Sequence, residues 1–217
     1  MIKATDLWKS YNELDVLKGV SLNIKKGEVV SVVGASGVGK STLLHILGTL
    51  SQADKGTVII DGQSIEKLKL KEIGAFRNEK IGFIFQSHQL LPEFTALENV
   101  CLPSWIKGNS QKYTEKKAKE ILSNLGLLNR IYHKPSELSG GEQQRVSVAR
   151  ALINNPAVIL ADEPSGNLDT KSAKLLHELF FELRDMFHQT FVIVTHNREL
   201  AKMSDRIIEM KDGIIIK

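Results

Sequence analysis

The sequence has little that could form covalent cross-links or cross a bilayer. Cys101 is the only cysteine among 217 residues, so an internal disulfide is excluded and a reducing compartment is indicated. The longest uninterrupted apolar runs, such as AVILA (157–161) and FVIV (191–194), are far shorter than the roughly 20 residues of a membrane-spanning helix. The opening residues MIKATDLWKSYN have no apolar centre like that of a secretory signal, so we expect a cytoplasmic protein.

A strong charge of either sign is also absent. The formal net charge is +4, and 42% hydrophobic and 25% charged residues are typical of a globular protein. A length of 217 residues suits one large domain or two small ones, and we predict a single domain. Lysines concentrate in KLKLK (67–71) and KYTEKKAK (112–119), where Leu or Glu interrupts them at helical spacing. We interpret both clusters as solvated surfaces, with contact to anionic lipid headgroups or nucleic acid as the alternative. We predict no nucleic-acid partner.

Strands and helices alternate along most of the chain, which favours an α/β fold with a mainly parallel sheet and an N-terminal antiparallel β subdomain. The predicted strands are 29–33, 56–62, 80–86, 157–162 and 190–196, with a helix from about 41 to 50 and a closing hairpin at 211–213.

Between these strands, apolar residues recur at helical spacing. We predict an inserted helical subdomain at 93–156, which divides the α/β core into residues 1–92 and 157–217. A long amphipathic helix is expected after the strand at 157–162. Its apolar residues are Leu175, Leu179, Leu183 and Met186.

A glycine-rich segment follows the apolar strand VVSVV. In GASGVGKS (34–41), Gly34, Gly39, Lys40 and Ser41 fit the pattern G-x-x-x-x-G-K-[ST], between a strand and an apolar helix. Glycines let backbone N–H groups surround phosphates, the lysine supplies a positive charge, and the serine hydroxyl can bind Mg²⁺. We predict nucleotide contacts from Gly34, Ala35, Ser36, Gly37, Val38, Gly39, Lys40, Ser41 and Thr42.

Two acidic residues follow the predicted buried strand AVILA. Asp162 and Glu163 should reach the carboxyl edge of the sheet, where parallel α/β folds bind their ligands. We expect Asp162 to hold Mg²⁺ through water, and Glu163 to orient or deprotonate the attacking water. The alternative is a solvated acidic turn before Pro164.

Other candidates also lie at predicted strand ends or near the N-terminus. His196 could contact a γ-phosphate and fix the geometry of Glu163, although a lone histidine after a strand is usually structural. Gln86 could reach Mg²⁺ or water, or could simply end its strand. Tyr11 could stack on adenine, but a place in the core is the alternative and Trp8 competes for the role.

A second pair of glycines stands in LSGGE (138–142). Ser139 and Glu142 fit a capping box that begins a helix. Gly140 and Gly141 would each cost that helix roughly 1 kcal/mol unless something must approach the backbone closely. Because the N–H groups at a helix N-terminus favour an anion, we assign nucleotide binding to these four residues as well.

Taken together, the motifs resemble the ATP-binding cassette (ABC) family over essentially the whole chain. GASGVGKS is similar to its Walker A loop, Gln86 to its Q-loop, LSGGE to its signature motif, VILADE (158–163) to Walker B, SGNLD (165–169) to its D-loop, His196 to its switch histidine and Tyr11 to its adenine-stacking aromatic. The resemblance implies ATP and Mg²⁺ as cofactors. It implies catalytic roles for Glu163, His196 and Gln86, and metal contacts from Ser41, Gln86 and Asp162.

The resemblance also implies a homodimer. In this family two cassettes hold two ATP molecules head to tail, each between the phosphate loop of one subunit and the signature helix of the other. The second phosphate site of this chain would therefore bind the partner's ATP, and dimerisation would depend on the nucleotide.

Within the family, QSHQLLPEFTALENV (86–100) and SGNLD resemble the branch of lipoprotein-releasing, macrolide-export and cell-division cassettes, and LLPEFTALENV most resembles lipoprotein-releasing subunits. Ser87, Gln89 and Ser165 depart from the branch pattern. The resemblance implies separate integral membrane subunits docked beside Gln86 and residues 87–105, with lipoproteins as cargo. It places the chain peripherally on the cytoplasmic face of the inner membrane.

Three other functions are the alternatives. A cell-division cassette would regulate cell-wall enzymes without transport, and a macrolide or peptide exporter would carry a different cargo; the sequence separates these poorly from lipoprotein release. A soluble DNA-repair or translation ATPase would carry coiled-coil insertions, zinc modules or tandem cassettes, and the sequence has none of these.

Overall fold

The computed structural model describes all residues from 1 to 217, arranged as two sheets and seven α-helices. The strands are β1 (Ile2–Tyr11), β2 (Leu14–Ile24), β3 (Val29–Val33), β4 (Lys55–Ile60), β5 (Gln63–Ser64), β6 (Ile81–Phe85), β7 (Val158–Asp162), β8 (Thr190–Val194), β9 (Arg206–Lys211) and β10 (Ile214–Ile215). The helices are α1 (Lys40–Leu47), α2 (Leu70–Lys80), α3 (Ala96–Ile106), α4 (Gln111–Asn124), α5 (Gly140–Leu152), α6 (Thr170–Phe187) and α7 (Arg198–Met203).

The larger sheet has six strands in the order β10-β9-β3-β8-β7-β6. All neighbouring strands are parallel except β10, which forms the predicted hairpin with β9. Strands β3, β7 and β8 are almost entirely buried, as expected of parallel strands covered on both faces. The carboxyl ends of β3, β6, β7 and β8 consequently lie along one edge of the sheet.

The smaller sheet is antiparallel, with the strand order β2-β1-β4-β5. On β1, Ile2, Ala4 and Leu7 are buried while the residues beside them are exposed. These side chains pack with Leu43 and Leu47 of α1 and with one face of the parallel sheet, in a cluster of 22 buried residues. The predicted α/β fold with an N-terminal antiparallel sheet is confirmed.

Helices α3, α4 and α5 lie between β6 and β7 in the chain; α5 packs against β6, and α3 and α4 pack against α5. Val146, Ala149 and Leu152 of α5 are buried, as is Ile153 directly after it. They belong to a cluster of 26 buried residues that also contains sheet residues such as Phe191. The division into a core (1–92 and 157–217) and a helical subdomain (93–156) stays a prediction, because helices and sheet share this one cluster.

The buried face of α6 differs from the stripe expected from the sequence. Leu175 and Met186 are 49% and 64% exposed, while Leu176, Phe180 and Leu183 are buried. Two apolar stripes overlap on this helix. Packing against the parallel sheet determines which stripe is buried. The ring of Phe180 on α6 lies 5.2 Å from the ring of Phe191 on β8. None of the seven helices is both long enough and apolar enough to span a membrane.

Candidate functional site

The phosphate-loop segment lies between β3 and α1, at the carboxyl edge of the parallel sheet. Two of its glycines are required by their surroundings, because both have positive φ angles (151° at Gly34, 98° at Gly39). A Cβ at Gly34 would lie 2.3 Å from the carbonyl oxygen of Met210, and one at Gly39 would lie 2.8 Å from that of Val16. The loop therefore sits tightly between β9 and β2, while Ala35, Ser36 and Gly37 face solvent.

Lys40 begins α1 and is only 9% exposed. Its Nζ donates hydrogen bonds to the carbonyl oxygens of Gly34 (3.0 Å) and Ala35 (2.8 Å), which are its only hydrogen-bond partners. A buried ammonium with only neutral acceptors has lost hydration without gaining an opposite charge. The loop thus holds a positive charge at its centre, which fits the binding of an anion.

Ser41 and Asp162 meet where β3 and β7 end. The Oγ of Ser41 donates to Oδ1 of Asp162 at 3.1 Å, and burial raises the pKa of Asp162 above its usual range. The chain has no group of three or more His, Cys, Asp or Glu residues that could hold a metal ion by themselves. A hydroxyl beside one carboxylate fits Mg²⁺, which commonly takes its other ligands from water and substrate phosphates.

Glu163 and His196 also lie side by side, because β7 and β8 are neighbours in the sheet. The Nδ1 atom of His196 is 2.8 Å from Oε2 of Glu163, and the His196 backbone N–H donates to the same oxygen at 3.3 Å. The Glu163 backbone has φ 45° and its N–H donates to the carbonyl of Val194. Glu163 is thus held in a left-handed conformation that directs it to the edge, where both side chains can act on a solvent molecule.

Gln86 follows β6 at the same edge, but its side chain turns toward the segment after Glu163. Its Nε2 donates to Oδ1 of Asn167 at 3.0 Å, and Nδ2 of Asn167 donates to the Gln86 carbonyl at 3.2 Å. Gln86 makes no hydrogen bond to Ser41 or Asp162 here. Asn167 is not among the residues predicted from the sequence, where its place within SGNLD is the one available indication.

The LSGGE segment begins α5 with the predicted capping box. The Ser139 N–H donates to Oε2 of Glu142 at 2.8 Å, and the Glu142 N–H donates to the Ser139 hydroxyl at 3.3 Å. The Ser139 N–H and the Ser139 hydroxyl, which donates to the same carboxylate at 2.9 Å, hold the pKa of Glu142 down at about 2, together with a salt bridge from Arg130 at 3.0 Å. No hydrogen bond or salt bridge joins residues 139–142 to the phosphate loop of the same chain.

The two glycines of LSGGE have different surroundings. A Cβ at Gly141 would lie 3.1 Å from the hydroxyl of Ser172 on α6, so packing within the chain already favours glycine there. A Cβ at Gly140 would meet only Leu168, at an ordinary 3.7 Å. Packing against Ser172 is therefore a second explanation for the glycine at position 141. At Gly140 no such contact exists, and the approach of an anion remains the explanation we expect.

Tyr11 ends β1 and is 48% exposed, so the alternative that it is a core residue is wrong. The Nζ of Lys9 lies 5.4 Å from the centre of its ring. Trp8 is less exposed and its indole N–H is already bonded to Asp6 at 2.9 Å. Tyr11 therefore offers the freer ring for stacking.

A cavity of about 610 Å³ lies away from these residues, at the opposite edge of the sheet. Lys80, Ala157 and Gln189, which immediately precede β6, β7 and β8, line it. Ala35, Ser36 and Gly37 of the phosphate loop, and His196, are instead exposed at the carboxyl edge of the sheet.

The chain matches known proteins over its whole length. The family model described as "ABC transporter" matches residues 17–166. A protein of Bacteroides thetaiotaomicron named "Lipoprotein-releasing system ATP-binding protein LolD" is 61% identical over 217 residues, covering all of both chains. A protein of the same name from Cytophaga hutchinsonii is 58% identical over 216 residues, covering 100% of this chain and 99% of the relative.

Solved structures agree with the sequence relatives. The structure described as a dimeric, post-hydrolysis state of the ATP-binding cassette MJ0796 bound to ADP and Pi superposes with a TM-score of 0.91 at 43% identity. It covers 100% of this chain and 97% of its own. The resemblance inferred from the motifs is confirmed, and the chain belongs to the ABC transporter family.

Proposed function

We propose that the chain is the ATP-hydrolysing subunit of a membrane ABC transporter that releases lipoproteins. The observation that carries the proposal is the convergence of Lys40, Ser41, Asp162, Glu163 and His196 at one edge of the parallel sheet. An anion-binding loop, a metal-binding pair and a carboxylate held by an imidazole are the parts that phosphoryl transfer to water requires.

Each of these residues has a distinct role in the proposed reaction. Lys40 can exchange its carbonyl partners for phosphate oxygens, which accept stronger, charge-assisted hydrogen bonds. Ser41 and Asp162 would hold Mg²⁺, which when bound neutralises charge on the phosphates. Glu163 orients or deprotonates the attacking water, and His196 fixes its carboxylate. Gln86, whose side chain is bonded to Asn167, would add a polar group to the Mg²⁺ site.

The nucleotide is proposed to lie between two copies of the chain. Ser139 and Gly140 are exposed at the N-terminus of α5. The Ser139 N–H already donates to Glu142, so the N–H of Gly140 and the helix dipole would bind the phosphates of the partner's ATP. The relative of known structure described as a dimeric ATP-binding cassette supports this arrangement.

Separate membrane subunits would convert dimer closure into work, with the chain on the cytoplasmic face of the inner membrane. We place their docking site in the groove beside residues 87–105. Lipoproteins are the proposed cargo, because relatives 61% and 58% identical over the full chain are named for lipoprotein release.

The dimer is tested with Glu163→Gln. This variant should bind ATP, hydrolyse it about 10²- to 10⁴-fold more slowly, and accumulate as a dimer in size-exclusion chromatography with Mg-ATP. The double variant Glu163→Gln, Gly140→Ala should form less dimer than Glu163→Gln at a given ATP concentration. The affinity of its monomer for ATP should be unchanged. A Glu163→Gln protein that stays monomeric in saturating Mg-ATP, with and without membrane subunits, would refute the sandwich.

The transport function is tested in native cells. The tagged chain should co-purify with integral membrane subunits, and the reconstituted complex should release lipoproteins from vesicles only when ATP is hydrolysed. Co-purification without release would support a membrane-coupled ATPase but refute lipoproteins as its cargo. Absence of any membrane subunit would overturn both.

A further inference from the structure

The buried face of α6 contains one polar side chain that the proposed mechanism does not use. His177 is 3% exposed and lies in the apolar stripe of α6 with Leu176 and Phe180. An imidazole in such a position loses hydration, so a hydrogen bond is needed to stabilise it there. The one hydrogen bond of the His177 ring joins Nε2 to the hydroxyl of Ser165, at 3.0 Å. Departures of this kind from an apolar pattern are expected at functional sites.

Burial also determines the charge of this ring. It lowers the pKa of His177 below the ordinary 6.5, although Glu199 and Glu178 act in the opposite direction. The ring is therefore neutral at pH 7. A neutral imidazole can bind the Ser165 hydroxyl without adding a positive charge beside the turn that carries Glu163, where such a charge would make the carboxylate a weaker base.

Ser165 belongs to the turn 163–169, which joins β7 to α6. The Gly166 N–H donates to the carbonyl of Glu163 at 3.0 Å, and the Leu168 N–H donates to that of Ser165 at 3.1 Å. Two backbone turns thus overlap at Ser165. A displacement of Ser165 would change the backbone on both sides of it.

The turn carries two groups of the site. At its start, Glu163 has a φ of 45°, a left-handed conformation that a non-glycine residue keeps only where its surroundings fix it. In its middle, Asn167 is hydrogen-bonded to Gln86 in both directions, and a Cβ at Gly166 would lie 2.7 Å from Nε2 of Gln86. The shape of the turn therefore affects the positions of both Glu163 and Gln86.

Contacts from three directions fix this turn. On the side of β8, the Glu163 carboxylate contacts His196, and on the side of β6 lies Gln86. On the side of α6, Ser165 is bonded to His177. This last contact is partly buried, whereas the hydrogen bonds with Gln86 and His196 are exposed to solvent. Water therefore competes least with the contact from α6.

We propose that His177 is a positioning residue for ATP hydrolysis: through the Ser165 hydroxyl it keeps the turn 163–169 in the shape that places Glu163 against the attacking water. Without this hydrogen bond the turn would sample other shapes, and Glu163 would be correctly placed for a smaller fraction of the time. ATP binding would change little, because no hydrogen bond joins the phosphate loop to this turn. The inference rests on the role of Glu163 in the proposed function.

The first experiment measures steady-state ATP hydrolysis by the full chain in complex with its membrane subunits. Ser165→Ala should lower kcat about three- to tenfold, the effect of losing one hydrogen bond, with the KM for ATP nearly unchanged. Ser165→Thr keeps the hydroxyl and should have a kcat close to that of wild type. His177→Phe keeps a ring of similar size, and should lower kcat to the same extent as Ser165→Ala.

The double variant Ser165→Ala, His177→Phe separates one shared role from two independent ones. Because both changes remove the same hydrogen bond, its kcat should equal that of either single variant. Leu183→Ala is the matched control, since Leu183 is 4% exposed on the same buried face, about 9 Å further along α6. It should lower the free energy of unfolding and leave kcat unchanged.

The second experiment follows hydrogen exchange in the nucleotide-free chain, which reports on the turn without any turnover. Ser165→Ala and His177→Phe should both accelerate exchange of the Gly166 and Leu168 amides, whose hydrogen bonds close the turn. Leu183→Ala should accelerate exchange within α6 instead.

The outcomes separate this inference from the proposed function. The inference is overturned if Ser165→Ala and His177→Phe turn over like wild type, or if the double variant shows the product of the two single effects. It is also overturned if Leu183→Ala lowers kcat as much as they do. If His177→Phe does not fold, equal rates for Ser165→Ala and Ser165→Thr overturn the inference and a slower Ser165→Ala supports it. Hydrolysis by Glu163→Gln at the wild-type rate would instead refute the proposed function, whatever these variants show.

Discussion

Nδ1 of His196 and Oε2 of Glu163 are 2.8 Å apart, although the two residues are 33 positions apart in the chain. The contact exists because β7 and β8 pair in parallel, with Asp162 opposite Val194, so that the residues following each strand share one edge. The His196 side chain is 73% exposed, whereas that of Glu163 is only 21% exposed. The imidazole thus covers the carboxylate from the solvent side.

Replacing His196 with Ala should slow ATP hydrolysis by about 10- to 100-fold, because Glu163 would lose the contact that fixes its carboxylate. Nucleotide affinity should change little. Steady-state kinetics would show the loss in kcat with the KM for ATP nearly constant. An unchanged kcat would remove His196 from the proposed mechanism.

Asp162→Asn should raise the concentration of free Mg²⁺ needed for half-maximal ATP hydrolysis by about tenfold or more, because the site loses its one carboxylate beside Ser41. Titration of the ATPase rate with Mg²⁺ at fixed ATP measures the shift. Asp54→Asn is the control, since Asp54 pairs with Lys9 on the antiparallel sheet, and it should not move the titration. A curve identical to wild type would exclude Asp162 from metal binding.

Glu142→Gln should destabilise the protein at pH 7 and lose that effect in acid. The folded pKa of Glu142 is about 2 and its ordinary value is 4.5, so the ionised form contributes stability above pH 4.5. This contribution declines as pH falls from 4.5 toward 2. Urea unfolding of both proteins at pH 7, 5 and 4 should show a difference that shrinks in the most acidic samples. A difference independent of pH would contradict the assignment.

His177, on α6, is 3% exposed and lies 3.0 Å from the hydroxyl of Ser165, two residues after Glu163. Burial lowers its pKa below the ordinary 6.5, despite the nearby carboxylates of Glu199 and Glu178. As pH falls below 6.5 the unfolded chain binds a proton that the folded chain resists, so the free energy of unfolding should decrease.

The variant His177→Phe should lack this part of the pH dependence. Urea unfolding at pH 8, 7, 6 and 5.5 would show a steeper loss of stability for wild type than for the variant, since the other five histidines are present in both proteins. Equal slopes would mean that His177 is protonated as readily in the folded protein as in the unfolded one.

The local motifs of this protein could be predicted from its sequence. The phosphate loop, the capping box at Ser139 and the acids after a buried strand are contiguous in sequence, and their chemistry follows from residue type and spacing. The alternation of apolar strands with helices was enough to predict a mainly parallel sheet, and such a sheet brings the residues that follow its strands to one edge.

Contacts between distant elements were decided only by the tertiary structure. Sequence spacing predicted the apolar face of α6 only in part. Leu183 is buried and Leu179 packs against the core, but Leu175 and Met186 are exposed. Phe180, which was not predicted to face the core, packs on Phe191 instead. The partners of Gln86 and Gly141 are Asn167 and Ser172, set by how α6 approaches α5 and β6. The hydrogen bonds from the Arg150 guanidinium to the carbonyl oxygens of His88 and Gln89 join residues about 60 positions apart. Periodicity and spacing describe one segment at a time, whereas these contacts depend on how separate segments pack.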